Sequence, residues 1–275
     1  MKKLFVFLPL CLLVLVSCNF SSSQTPIISA NEVNTHVAET IQSIPTTTFI
    51  TATPIPTTAL VTATATLKPS DTPTATANPE DPRLTLGTPT FTENFSSGSS
   101  FGLKTPYTDD AITMSVSGGE MLMQSSRLQS GIHWRLAYLT PRNFYLEGKF
   151  KTVDCTGSDY YGLVARSPDY TNGIGYYFGI SCSGQYSLMR FDTSDLLPLV
   201  DWTTDSTILA GSNQENRIGM MLSDDQISLY INGKLIKKVS NNALSQKGYF
   251  GVFQAAVQNP ALTVAVEQID EWDQP

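Results

Sequence analysis

From about residue 86 onward, apolar and polar side chains alternate in short runs closed by turn residues. Period-two alternation with turn signals about 8 to 12 residues apart is the pattern of a β-sandwich or barrel. No long segment has the 3.6-residue period of an amphipathic helix. Three turns let the register be argued. Gly118-Gly119 makes a two-residue hairpin that sets Val116 opposite Met121 and Met114 opposite Met123, all on one face. Asp224-Asp225 does the same for Leu222 with Ile227, Met220 with Leu229 and Ile218 with Ile231. Asn232-Gly233 follows at once, and Asn-Gly is the strongest short hairpin signal. The run from Arg217 to Val239 is therefore expected to be a three-stranded meander. A one-residue slip would turn every one of these apolar side chains outward. Further strands are expected at Thr90–Phe95, Gly131–Leu139, Phe144–Val153, Tyr160–Arg166, Gly175–Cys182, Gln185–Asp192, Gly248–Ala255 and Leu262–Ile269.

The chain before residue 86 has a different pattern. From Pro45 to Pro79 it is mostly Thr, Ala and Pro, with aromatics and charges nearly absent. Such a segment buries too little apolar surface to offset its ordering entropy. Its prolines favour extended geometry, so residues 18–85 are expected to be a disordered tether reaching on the order of 100 Å. A plain spacer is one reading of its threonines, and an O-glycosylated stalk is the other. The sandwich domain is then residues 86–275.

The N-terminus supplies the tether's other end. Met-Lys-Lys precedes an apolar run from Leu4 to Val16, the layout of a secretory signal over residues 1–17. The run is short of the roughly 20 apolar residues that span a bilayer. The sequence Leu15-Val16-Ser17-Cys18 then resembles the lipobox of bacterial lipoproteins. The resemblance implies cleavage before Cys18 and a diacylglyceryl group on its sulfur, and paired acyl chains give stable anchoring. Asn19 stands where an aspartate would signal inner-membrane retention in enterobacteria. The expected location is extracytoplasmic, at the cell surface.

Composition narrows the function. Only 15% of residues are charged and the net charge is -7, with no Lys/Arg cluster of the kind a nucleic-acid backbone needs. Of four cysteines, Cys11 leaves with the signal and Cys18 takes the lipid, which leaves Cys155 and Cys182. An even pair in an oxidising compartment is expected to form a disulfide, the alternative being two buried thiols. Zinc needs three or four spaced Cys or His ligands, and the histidines are only His36 and His133.

Several segments of the domain resemble the concanavalin-A-like lectin/glucanase superfamily. Phe91-Thr92-Glu93-Asn94-Phe95 is similar to its aromatic–acid–aromatic first strand. Gly162–Arg166, Tyr176–Ile180 and Gly184–Arg190 resemble its central strands, and Leu229–Gly233 its late strand and hairpin. Val264–Asp270 resembles the closing strand that pairs with the first. The nearest look is of the subset beside laminin-G-like and 3-keto-disaccharide-hydrolase-like domains. The resemblance spans about Thr88 to Asp273 and implies an all-β, antiparallel jelly-roll sandwich. It does not by itself assign a function.

Glucanases of this superfamily carry Glu-x-Asp-x-x-Glu on a strand. Alternate strand positions share a face, which suits two carboxylates flanking a scissile bond. That motif is missing here. The nearest acids, Glu267, Asp270 and Glu271, lie in the last strand and read as solvated or structural. No Ser-His-Asp set is available with His133 alone in the domain. A non-catalytic glycan- or envelope-binding module is therefore the first expectation. A glycan-modifying enzyme and a protein-docking envelope component are the alternatives. For binding, a two-residue Ser183-Gly184 turn would set Tyr177 opposite Arg190 and Ser181 opposite Tyr186, with Arg166 and Trp202 nearby, as an aromatic and cationic sugar platform. The alternative is that these residues simply cover the sheet by cross-strand and cation–π pairing. Trp134 and Arg135 are a further pair, with Trp134 read first as packing. The resemblance also implies a structural calcium near the terminal strands, for which Glu93 and Asp270 are the natural carboxylates. No other cofactor is expected.

Overall fold

The computed structural model of the protein describes residues 78–193 and 195–274. The signal segment, Cys18 and the tether up to residue 77 lie outside the described residues.

Fifteen strands form among the described residues. They are β1 (Phe91–Glu93), β2 (Tyr107–Thr108), β3 (Ile112–Ser117), β4 (Glu120–Ser125), β5 (His133–Leu136), β6 (Phe144–Asp154), β7 (Tyr160–Ser167), β8 (Gly175–Ser181), β9 (Gln185–Phe191), β10 (Leu196–Thr204), β11 (Glu215–Ser223), β12 (Gln226–Ile231), β13 (Lys234–Ser240), β14 (Tyr249–Ala255) and β15 (Thr263–Asp273). They pair antiparallel into two sheets. Sheet A runs β13-β12-β11-β6-β15-β4-β3-β2, with β1 also on β15. Sheet B runs β10-β9-β8-β7-β14-β5. This is the expected all-β sandwich.

The hairpins hold the registers that their turns dictate. Val116 pairs Met121 and Met114 pairs Met123. Leu222 pairs Ile227, Met220 pairs Leu229 and Ile218 pairs Ile231. The core between the sheets is built from these rows of sheet A, with Val116 partly buried at their margin, and from the fully buried Leu163, Phe178, Leu188, Phe250 and Val252 of sheet B. Gly148 sits between Leu146 and Phe150 on the inward row of β6. A Cβ there would stand 2.5 Å from the Phe150 ring, so the ring occupies the space that a side chain would need.

First and last strands pair as expected, with Thr92 opposite Asp270 and Glu93 opposite Ile269. A register shift in β15 between Val266 and Gln268 brings Ile269 back to the core and turns Asp270 outward. Strand β10 carries Pro198 in a mostly exposed run, which is tolerable because β10 is the edge of sheet B. Cys155 and Cys182 are bonded, with Cα atoms 5.3 Å apart, joining the end of β6 to the β8–β9 turn.

Residues 78–85, expected to belong to the tether, are bonded to the outer face of sheet A. Asn78 Nδ2 donates to the Gly233 carbonyl at 3.2 Å. Asp81 accepts from Arg217 at 2.6 Å and from Arg83 at 3.1 Å. Leu86 packs on Tyr145, Tyr230 and Trp272, and the Trp272 indole donates to the Gly87 carbonyl at 3.0 Å.

Candidate functional site

The β8–β9 hairpin departs from expectation by one residue. Its loop is Cys182-Ser183-Gly184, three residues rather than two. Gly184 holds a φ of +83° and donates its N–H to the Ser181 carbonyl, as a three-residue hairpin requires. Cys182, bonded to Cys155, belongs to the loop and not to the strand. Tyr177 therefore pairs Met189, and Arg190 pairs Tyr176. The slip puts Tyr177 and Arg190 on opposite faces of sheet B, so they form no joint platform. Ser181, likewise, does not face Tyr186, which pairs Ile180.

The other sequence candidates separate too. Tyr186 is buried in the core between the sheets. Arg190 pairs with Asp192 at 3.0 Å. Arg166 is 2% exposed, and its guanidinium donates to the carbonyls of Arg142, Asp224 and Leu244, tying three loops together. Tyr177 and Trp202 lie on or beside the outer face of sheet B. Tyr177 is buried among its outer cluster, and Trp202 meets Tyr160 edge to face with ring centroids 5.2 Å apart.

Glu93 and Asp270 do not converge. Glu93 faces inward beside Ile269 and accepts the Phe95 N–H at 2.7 Å. Asp270 faces outward and accepts from Thr92 Oγ1 and Gln268 Nε2, each at 2.6 Å. Among the described residues no group of three His, Cys, Asp or Glu side chains is placed to hold a metal ion.

What sheet B does assemble is a set of clefts around Trp134. On its outer face, Trp134, Tyr160, Tyr177, Phe191 and Leu196 line a pocket of about 340 Å³, with Ile132 and Asn172 at its sides. Small residues make the room. Gly173 lies flat against the indole, where a Cβ would come within 2.8 Å of the Trp134 ring. Gly179 lies under the Phe253 ring, at 3.0 Å from its own missing Cβ. The Tyr177 hydroxyl donates to the Gly173 carbonyl at 2.6 Å, and burial pushes its phenol well above the ordinary range. Tyr177 thus offers the pocket a ring and not a proton. Burial also pushes the Tyr160 phenol up, to about 12.

Two more clefts, of about 280 and 220 Å³, adjoin at the edge strand β5 and share Trp134, Arg135 and Tyr170. Tyr138 lines the first, and Tyr107 and His133 the second. Arg135 sits on the other side of β5 from Trp134, opposite Val252. Its Nε and Nη2 donate to the carbonyls of Phe101 and Gly102, each at 2.8 Å, and the guanidinium lies 5.5 Å from the Tyr107 ring centre. Tyr170 stacks on Tyr249 at 4.1 Å and approaches Tyr138 at 5.9 Å, extending the aromatic surface outward. No Asp or Glu lines any of the three clefts. The sequence offers Trp134 and Arg135 as a further pair, with Trp134 read first as packing. The signal was their adjacency, because neighbours on an edge strand serve clefts on both of its sides.

No family model matches the chain, and no curated protein is similar enough to count as a relative. Solved structures do resemble it. A Bacillus subtilis protein of unknown function with a galectin-like fold aligns at a TM-score of 0.52 and 10% identity, over 68% of this chain and 96% of that one. A Bacillus licheniformis β-glucanase aligns at a TM-score of 0.50 and 10% identity, over 69% of this chain and 99% of that one. Likeness at such identity speaks for fold alone. The described domain has the fold of these two structures, an antiparallel jelly-roll β-sandwich.

Proposed function

We propose that the chain is a lipoprotein of the cell surface, anchored through Cys18, whose sandwich binds a glycan without cleaving it. The observation that carries the reading is the Trp134-centred set of clefts, walled by aromatic rings and lined by no carboxylate. Sugar rings offer C–H faces to aromatic side chains and polar edges to a few donors, the usual mix of a ligand pocket. Hydrolysis of a glycosidic bond needs two acids about 5 to 9 Å apart astride it, and these clefts supply neither. The Thr/Pro-rich tether supports display at a distance from the membrane, since its composition favours an extended chain.

The purified protein is expected to be retained saturably by at least one polysaccharide in a broad panel, and Trp134→Ala is expected to abolish that retention. Absence of retention across the panel would overturn the binding reading. Release of reducing sugar would overturn the non-catalytic one. For the anchor, labelling of the protein with radioactive palmitate in its host should vanish in Cys18→Ala.

A further inference from the structure

Arg135 is the polar feature of these clefts with capacity to spare. Its Nε and Nη2 are each held at 2.8 Å by a backbone carbonyl, which fixes the plane of the guanidinium. Its Nη1 makes no hydrogen bond, and the guanidinium pairs with no carboxylate, among the described residues. It stands between two clefts walled by the rings of Phe101, Tyr107, Trp134, Tyr138 and Tyr170, by aliphatic side chains and by His133, whose Nε2 is bonded to the Ser130 hydroxyl. An acid bonded to this wall is Asp109. Its carboxylate is already bonded to the Tyr107 hydroxyl at 2.8 Å and to the amides of Ala111 and Ile112. The cation is thus oriented in advance, partly desolvated and not neutralised.

We infer that Arg135 is an anion subsite, and that the glycan carries carboxylates, as a polyuronate does. This rests on the glycan-binding reading and narrows it. Arg is suited to the role because its charge is permanent and its planar fork matches a carboxylate. The uronate ring stacks against Trp134 or Tyr170, and its carboxylate meets the free Nη1. Neighbouring sugar rings run over the 340 Å³ pocket beyond Trp134, whose walls offer rings and aliphatic groups. The protein as a whole carries a net charge of -7, so attraction of a polyanion has to come from this local site and not from the overall field.

The test uses the full chain in detergent and three probes, polygalacturonate, alginate and hyaluronate, each beside its methyl-esterified form. Affinity electrophoresis or calorimetry reads the result. The expected outcome is binding of at least one polyuronate about tenfold tighter than its ester, weakening as sodium chloride rises from about 0.05 to 0.5 M. Arg135→Gln should lower that affinity about tenfold and Arg135→Lys should restore part of it. Equal binding of acid and ester, or full affinity in a folded Arg135→Gln, overturns the inference. If the Gln variant fails to fold, the ester comparison on the unaltered protein decides alone. Retention of neutral glycans that Trp134→Ala abolishes, with no preference for acids, sinks this inference and leaves the binding reading standing. No retention on any glycan sinks both.

Discussion

The outer faces of the two sheets have been treated in opposite ways. On sheet A, Glu147 and Arg217 point outward from β6 and β11, and residues 78–87 lie across them. Asp81 and Arg83 complete an ionic cluster there, with Arg217 at 2.6 Å from Asp81 and 3.6 Å from Glu147. The Tyr145 hydroxyl closes it by donating to Glu147 at 2.8 Å. On sheet B the outward row is Trp134, Tyr160, Tyr177 and Phe253, and the clefts around it stay open. Charged groups that leave water must be paired, so the chain itself supplies the partners and seals the surface. Aromatic rings make no such demand, so they can stay half-covered and keep contact area for a ligand. The covered face is tied to the chain's own residues 78–87, and the open one leaves its aromatic rings uncovered.

The largest effect should come from breaking the sealed face. Arg217→Ala removes the more buried of the two arginines that Asp81 and Glu147 share, leaving two covered carboxylates with the half-exposed Arg83 alone. Loss of one member of a buried ion cluster costs about 3 kcal/mol. Denaturant unfolding should report that loss, while glycan retention by the folded fraction stays unchanged. Trp134→Ala should do the reverse. Retention should drop at least about tenfold, while stability falls by only about 1 kcal/mol, since the indole is half-buried. Equal stability losses in the two variants would erase the distinction between the faces.

Much of the fold is legible in the sequence but little of this contrast is, and the reason lies in which signals are local. The Gly118-Gly119 and Asp224-Asp225 hairpins hold the expected registers because turn residues and flanking periodicity agree at each, whereas the Asn232-Gly233 hairpin closes on Ile231 and Lys234 and then shifts register between Leu229 and Tyr230. The pairing of β1 with β15 followed from the resemblance. The Ser183-Gly184 hairpin came out one residue off, and that slip moved Arg190 to the other face. A two-residue and a three-residue loop ending in glycine look alike in sequence, and the disulfide at Cys182 tips the choice. Strand β10 stayed hidden because Pro198 argues against a strand wherever its edge position is unknown. The strap stayed hidden because Asp81 and Arg83 find their partners more than 60 residues away, at Glu147 and Arg217. Composition sees the polar segment and not the pairing.

The sealed face should also show in the pH dependence of stability. Burial pushes the Glu147 carboxyl up to about 7, outweighing the Tyr145 hydrogen bond and the nearby Arg83, both of which favour the anion. Glu271, whose buried Oε1 has no partner, is likewise raised to about 7, by burial and by Asp273. A carboxyl whose folded pKa exceeds its unfolded value binds more protons when folded. Stability therefore falls as pH rises from about 4.5 to about 7, and levels off above that. Below about 4 the trend reverses, because Asp169 and Asp205 are held below their ordinary range by hydrogen bonds and lose that benefit on protonation. Melting temperature should thus peak near pH 4 to 5. Glu271→Gln should flatten the decline toward pH 7 by a few degrees, and the same slope in variant and parent would refute the assignment.

The smallest effect should come from the margin of the open face. Trp202 is 37% exposed on the edge strand β10 and touches the pocket only through Tyr160, edge to face at 5.2 Å. It does not line the pocket, so its removal takes away support for a wall and no direct contact. A ring pair of this kind contributes about 0.5 to 1.5 kcal/mol beyond simple burial. Trp202→Ala should then weaken glycan binding about threefold, by letting the Tyr160 ring sample other rotamers. Trp202→Phe should recover most of that loss, because an edge-to-face partner is restored. A tenfold loss in Trp202→Ala, rivalling Trp134→Ala, would mean that the ligand touches Trp202 itself. The binding surface would then extend beyond Leu196 along β10, with Trp134 at one end of it and Trp202 at the other.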